Sequence, residues 1–211
     1  MTCETVYADA TDPVHLAATR IAALAEGRAR LLVAVAGAPA SGKSTIAARI
    51  ADALDDAVAV PMDGYHLDND TLSARGLLAQ KGAPETFDAD GFIAAMRVLK
   101  TGERTALPAF DRAADATVPD AIEVPAEARI VVVEGNYLCL DAAPWRELHS
   151  LWDYRIALDV PIEELRRRLT ERWLEHGHSH EDAVRRAEAN DLPNARRVMD
   201  EALPVDLRIV G

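Results

Sequence analysis

Leu31-Leu32-Val33-Ala34-Val35-Ala36-Gly37-Ala38-Pro39-Ala40-Ser41-Gly42-Lys43-Ser44-Thr45 is the stretch from which the rest of the chain is read. Its first six residues are a continuous apolar run, the pattern of a strand buried on both faces in a parallel sheet. Gly37 to Ser44 then fits G-x-x-x-x-G-K-[ST] without deviation. Glycines let the backbone turn so that successive N–H groups converge on phosphate oxygens. The helix that opens at Ser44 adds the positive end of its dipole. Lys43 supplies a point charge for the β- and γ-phosphates of a nucleotide, and the Ser44 hydroxyl is placed to ligate Mg²⁺. The residues expected around the polyphosphate are Gly37, Ala38, Ala40, Ser41, Gly42, Lys43, Ser44 and Thr45.

Outward from this loop, Asp12-Pro13 reads as the cap and first turn of a helix that stops at Gly27. Residues 57–62, 130–133, 155–158 and 205–210 read as further short strands. Helices are expected from Ser44 to about Leu54 and from an Asp88 cap to Lys100. A fourth, charged helical stretch opens at Pro161 and is broken at Gly177 and near Pro193. Residues 63–87 read as loop. Residues 105–125, with three prolines and no period, read as an irregular excursion. Strands alternating with helices imply an α/β three-layer fold, with a mostly parallel five-stranded sheet and right-handed crossovers. One domain is expected over 1–211, with residues 165–197 as a lid-like helical region.

The 211 residues carry 23 lysines and arginines against 35 acids, a net charge of −12. That acidity argues against broad binding to nucleic acid or to an anionic membrane. It leaves room for one local anion site, because residues 165–197 hold eight arginines against six acids. No apolar run is long enough to span a bilayer, and the first twenty residues lack the basic start of a secretory signal. Cys3 and Cys139 lie far apart with no metal-ligand spacing, so both read as free thiols. The expected location is cytoplasmic; a homodimer is left open.

A phosphate loop identifies a donor; the acceptor side must come from elsewhere. Asp63 directly follows the 57–62 strand, and the carboxyl ends of parallel strands line the ligand crevice. A carboxylate there can orient an incoming hydroxyl and accept its proton. Tyr65 and His66, just beyond, are expected on the substrate side, as are Asp111 and Arg112 in the excursion. Glu134 ends the 130–133 strand, where it can reach Mg²⁺ through water or position the attacking group. Arg168 and Arg172, four residues apart, share a helix face and can stabilise developing phosphate charge. His176, His178 and His180 read as a solvated loop.

Five strings occur in order: Gly37–Thr45, Asp63–His66, Lys81–Asp88, Pro108–Arg112 and Glu134–Leu138. Together they resemble the phosphoribulokinase/uridine kinase/type I pantothenate kinase superfamily. Lys81–Asp88 and Asn190–Ala195 resemble in particular its bacterial branch labelled fructose transport system kinase, or uridine kinase-like P-loop hydrolase. The resemblance implies a P-loop NTPase fold with a helical lid, and ATP:alcohol phosphotransfer with Mg²⁺. It makes Asp63 the catalytic base, Lys43 and Ser44 the phosphate and magnesium residues, and Glu134 the strand-end carboxylate. Arg168 or Arg172 would belong to the lid. Members of the family use uridine, pantothenate, ribulose 5-phosphate or glycerate as acceptor. Residues 105–125 are shorter and less aromatic than a base-stacking uridine site calls for, which disfavours a nucleoside. The alternative reading is a nucleotide-binding regulator or slow ATPase serving a sugar transporter. A GTPase would carry N-K-x-D, which is absent from the sequence.

Overall fold

The computed structural model describes residues 3–10 and 12–211. Its elements run β1 (Glu4–Tyr7), α1 (Pro13–Ala25), β2 (Leu31–Gly37), α2 (Lys43–Asp52), β3 (Ala57–Pro61), α3 (Asn69–Ala74), α4 (Ala89–Lys100), β4 (Thr105–Asp111) and β5 (Ala116–Val124). Then follow β6 (Ile130–Gly135), β7 (Tyr154–Asp159), α5 (Ile162–Glu175), α6 (His180–Arg186), α7 (Leu192–Asp200) and β8 (Leu207–Val210). Six strands make one sheet in the order β1-β8-β7-β2-β6-β3, and every neighbouring pair is parallel. The central strand is β2, so the phosphate loop leaves the sheet where its neighbours β6 and β7 lie on opposite sides. Ligands of open α/β sheets bind at such a point.

The continuous apolar run of β2 is explained by its two faces. Leu31, Val33 and Val35 pack with Ile21 of α1 and Ile50 of α2. Leu32, Ala34 and Ala36 pack with Phe92, Met96 and Leu99 of α4. A third cluster joins Ala38 of the phosphate loop to Leu165 and Leu169 of α5 and to Leu192 and Ala195 of α7. The loop therefore rests on the helices that follow β7. Among the described residues no helix is long and apolar enough to cross a membrane.

The structure corrects four expectations. The sheet has six strands rather than five, because β1 pairs with β8 at the sheet edge. Only Val6 of β1 is buried, so the strand has no apolar run to reveal it. Residues 105–125 are not irregular but form the antiparallel hairpin β4–β5. Pro108 sits at a register shift in that ladder, where a missing N–H costs no regular bond. The helical stretch that opens at Pro161 does not break at Pro193. Ala187–Asp191 make a π turn that runs straight into α7, and Pro193 falls in its first turn. The 63–87 stretch holds α3 and three short 3-10 turns, Met62–Tyr65 among them.

Candidate active site

The phosphate loop has the conformation its sequence requires. Gly42 has φ +89°, and Ala40 also lies in the left-handed region at φ +62°. A non-glycine residue there is strained, and such strain gathers at functional loops. No side chain caps the start of α2, so its first N–H groups stay open to an anion. Lys43 folds back with Nζ 3.5 Å from the Ala38 carbonyl. Burial lowers its pKa, and the nearby carboxylates of Glu134 and Asp63 oppose that shift. The Ser44 hydroxyl donates to Glu134 Oε1 at 2.9 Å. Glu134 is itself buried at the end of β6; burial raises its pKa, and Lys43 opposes this.

In front of Lys43 lies a cavity of about 640 Å³. Its walls bring together Ala40, Lys43, Asp63, His66, Arg112 and Arg172, six of the residues expected from sequence. Asp63 enters on the Met62–Tyr65 turn, directly after β3. Its Oδ2 accepts from Arg112 Nη2 at 2.6 Å. His66 Nδ1 lies 2.7 Å from the Asp63 carbonyl oxygen, which can only accept, so Nδ1 carries the proton. The imidazole also stacks obliquely on Phe87 and Phe110, with centroids 4.1 and 4.6 Å away. Burial lowers the His66 pKa, so the ring is neutral near pH 7.

The other expected residues stand outside the cavity wall. Gly37, Ala38, Ser41, Gly42, Ser44 and Thr45 shape the loop behind it, and Glu134 lies behind Ser44. Tyr65 turns into the core against Phe92, with ring centroids 5.1 Å apart. Asp111 accepts from the N–H groups of Ala113 and Ala114 and so caps the turn of the hairpin. Arg168 bonds Glu164 at 2.7 Å and reaches the Ala40 carbonyl at 3.4 Å, bracing the phosphate loop from outside. Arg172, one turn on, lines the cavity, has no carboxylate partner among the described residues, and has its pKa lowered by burial.

Sequence reasoning missed several wall residues. Lys81 binds Asp115 at 2.7 Å and Asn69 at 2.8 Å, and it lies over the Phe110 ring. Trp173 donates its Nε1–H to Asp191 at 2.7 Å, and Arg186 covers its ring. Asn190 Nδ2 donates to the Lys81 carbonyl at 2.8 Å, joining the π turn to the opposite wall. Asn136 lines the cavity, and its Oδ1 is buried without a hydrogen-bond partner among the described residues. Lys81 and Asn190 fall inside strings already singled out for their resemblance, which was the available signal. Asn136 lies in another of those strings, Glu134–Leu138, whereas Trp173 and Arg186 carry no local signature.

Ser44 and Glu134 offer hard oxygen donors beside the loop, the donor type that Mg²⁺ prefers. The arrangement therefore suits a magnesium-complexed polyphosphate on Lys43, with a polar acceptor between Asp63 and the α5–α7 segment.

The profile of the phosphoribulokinase/uridine kinase family matches residues 32–200. A Schizosaccharomyces pombe protein provisionally named a uridine kinase is 34% identical over 202 residues, covering 89% of this chain and 86% of the relative. The uncharacterized Escherichia coli protein YggC is 36% identical over 176 residues, covering 81% of this chain and 73% of the relative. A crystal structure from Silicibacter sp. TM1040, of a protein provisionally named a fructose transport system kinase, superposes with a TM-score of 0.89. It is 47% identical and covers 92% of this chain and 98% of its own.

Proposed function

The chain belongs to the phosphoribulokinase/uridine kinase family of P-loop kinases, and from that premise we propose that it transfers the γ-phosphoryl group of ATP to a hydroxyl of a small metabolite. The observation that carries this reading is one cavity with Lys43 on one wall and the Asp63 carboxylate on another. A protein that only binds nucleotide needs no proton acceptor facing the phosphate loop, and a slow ATPase would use it on water and show no acceptor stimulation.

Phosphoryl transfer is mostly positioning and charge stabilisation. Lys43 and the open N-terminus of α2 hold the donor phosphates. Arg172, half-buried and without a carboxylate partner among the described residues, faces the charge that develops as the phosphoryl group moves. Asp63 orients the acceptor hydroxyl and takes its proton. Ser44 and Glu134 would hold Mg²⁺, which when bound neutralises polyphosphate charge. The α5–α7 segment acts as a lid, and use of ATP fits a cytoplasmic location.

The test is ADP release from ATP against a panel of sugars, polyols, nucleosides and pantothenate, for the wild type and Asp63→Asn. Acceptor-dependent transfer is expected to fall by about 10²–10⁴ in the variant, with ATP binding kept. Full transfer by Asp63→Asn, or no stimulation by any acceptor, removes the reading.

A further inference from the structure

We propose that the acceptor is itself an anion, a hydroxylated metabolite already bearing a phosphate or carboxylate, and that Arg112 both reads this group and uncovers Asp63 when it binds. The proposal rests on the kinase reading above and adds the acceptor's charge and the residue that senses it.

The cavity wall carries Lys43, Lys81, Arg112, Arg172, Arg185 and Arg186 against Asp63, Asp115 and Asp191. A cationic excess at one site of a chain with net charge −12 points to anionic occupants. Lys43 and Arg172 stand with the phosphate loop and serve the donor. On the acceptor wall, Lys81 is already held by Asp115 and Asn69. Arg112 is different. The one side chain it bonds among the described residues is Asp63, the proposed base. That bond uses one Nη2–H and leaves Nε and Nη1 of the fork without partners among the described residues. A guanidinium fork with free donors is suited to bidentate capture of an oxyanion.

As it stands, the ion pair works against catalysis. Arg112 holds Asp63 Oδ2, one of the two carboxylate oxygens that can receive the hydroxyl proton. The pair is nevertheless easily exchanged, because the Arg112 side chain is 58% exposed and that of Asp63 24%. The two backbones already stand in close contact. A Cβ on Gly64 would stand 2.0 Å from the Pro108 carbonyl oxygen, so the Met62–Tyr65 turn and β4 touch backbone to backbone. The exchange is thus a side-chain movement: an acceptor oxyanion takes the guanidinium and Asp63 is freed beside the acceptor hydroxyl. The hydroxyl oxygen then bonds the γ-phosphorus, the bond to the β–γ bridging oxygen breaks, the hydroxyl proton passes to Asp63, and ADP leaves. Without an anion the base stays covered, which restrains the same attack by water. Phe110, the aromatic ring on this wall, is already engaged by His66 and Lys81, so the wall suits a charged group better than a nucleobase.

The experiment measures ADP release with polyols and sugars, each beside its phosphate monoester and its carboxylic acid. The wild type, Arg112→Ala and Arg112→Lys are compared, and ATP binding by calorimetry confirms that each is folded. In the wild type, one anionic series is expected to exceed its neutral parents in kcat/KM by at least about tenfold to a hundredfold, and which series does so tells phosphate from carboxylate. Arg112→Ala should lose that preference mainly through KM, while acceptor-free ADP release rises several-fold. The rise should vanish in the Asp63→Asn/Arg112→Ala double variant. Arg112→Lys, lacking the fork, should recover only part of the preference. Equal use of neutral and anionic acceptors by the wild type overturns this proposal and leaves the kinase reading standing. So does an Arg112→Ala enzyme that keeps both its preference and its low acceptor-free rate. Absence of stimulation by every acceptor overturns both.

Discussion

At His66, one imidazole is held by the Asp63 carbonyl and by the rings of Phe87 and Phe110. Burial lowers its pKa; the Asp63 carbonyl and carboxylate pull the other way, and Lys81 and Arg112 add to the lowering. In the window below the ordinary histidine value, about 6.5, the unfolded chain binds a proton that the folded chain resists. Stability should therefore fall as pH drops through that window and level off below the folded pKa. Guanidinium unfolding between pH 7.5 and 5 checks this: His66→Gln should show a shallower loss than the wild type, and equal slopes would count against it. At this scale the sequence is informative where bonding is local. Lys43, Ser44 and Asp63 are placed by the strand ends and turns next to them. It is less informative about side-chain direction. Arg168 and Arg172 share a helix face, yet Glu164 and the Ala40 carbonyl hold Arg168 outside while Arg172 reaches the cavity. Tyr65 is two residues from Asp63 but turns to the core, because the short helical turn sends alternate side chains to different sides.

At the scale of elements, the contact between the Met62–Tyr65 turn and the β4–β5 hairpin sets the acceptor side. Thr117 of β5 donates to the His66 carbonyl at 3.2 Å, and Gly64 lies under Pro108. Gly64→Ala must push β4 away, since the atom it meets is backbone. The expected result is a loss of about 1–3 kcal/mol in stability and an acceptor kcat/KM lowered by about a hundredfold. ATP binding at the phosphate loop should be nearly unchanged. Thermal unfolding and the two kinetic constants separate these effects; unaltered transfer would show that the contact does not position Asp63. The hairpin escapes sequence reading because its prolines interrupt the ladder where the ladder tolerates them, and because β5 is exposed along most of its length. Its base is anchored instead by Arg30, whose buried guanidinium donates to carbonyls of Glu103, Pro125, Ala126 and Ala128. Nothing in a lone arginine ahead of β2 announces that role.

Across the whole molecule, the cavity exists because segments far apart in sequence meet over the phosphate loop. The bond from Asn190 to the Lys81 carbonyl, 109 residues away, joins the α5–α7 segment to the acceptor wall. Asn190→Ala should cost about 1 kcal/mol of that closure, quicken amide exchange over residues 187–200, and raise the acceptor KM more than the ATP Kd. Exchange rates identical to wild type would show that the bond does not hold the segment. The same geometry reconciles net acidity with anion binding: carboxylates spread over the surface, while six cations converge on one cavity. By itself, the sequence determined the alternation of the core strands β2, β3, β6, β7 and β8 with their helices, the phosphate loop, and the carboxylates at the ends of β3 and β6. Those features follow from short-range periodicity and turn chemistry. Only the tertiary structure decided that β1 joins the sheet, that residues 105–125 form a hairpin, which arginine lines the cavity, and that Arg112 covers Asp63. Each of these depends on contacts between residues distant in the chain, and such contacts leave no periodic trace in it.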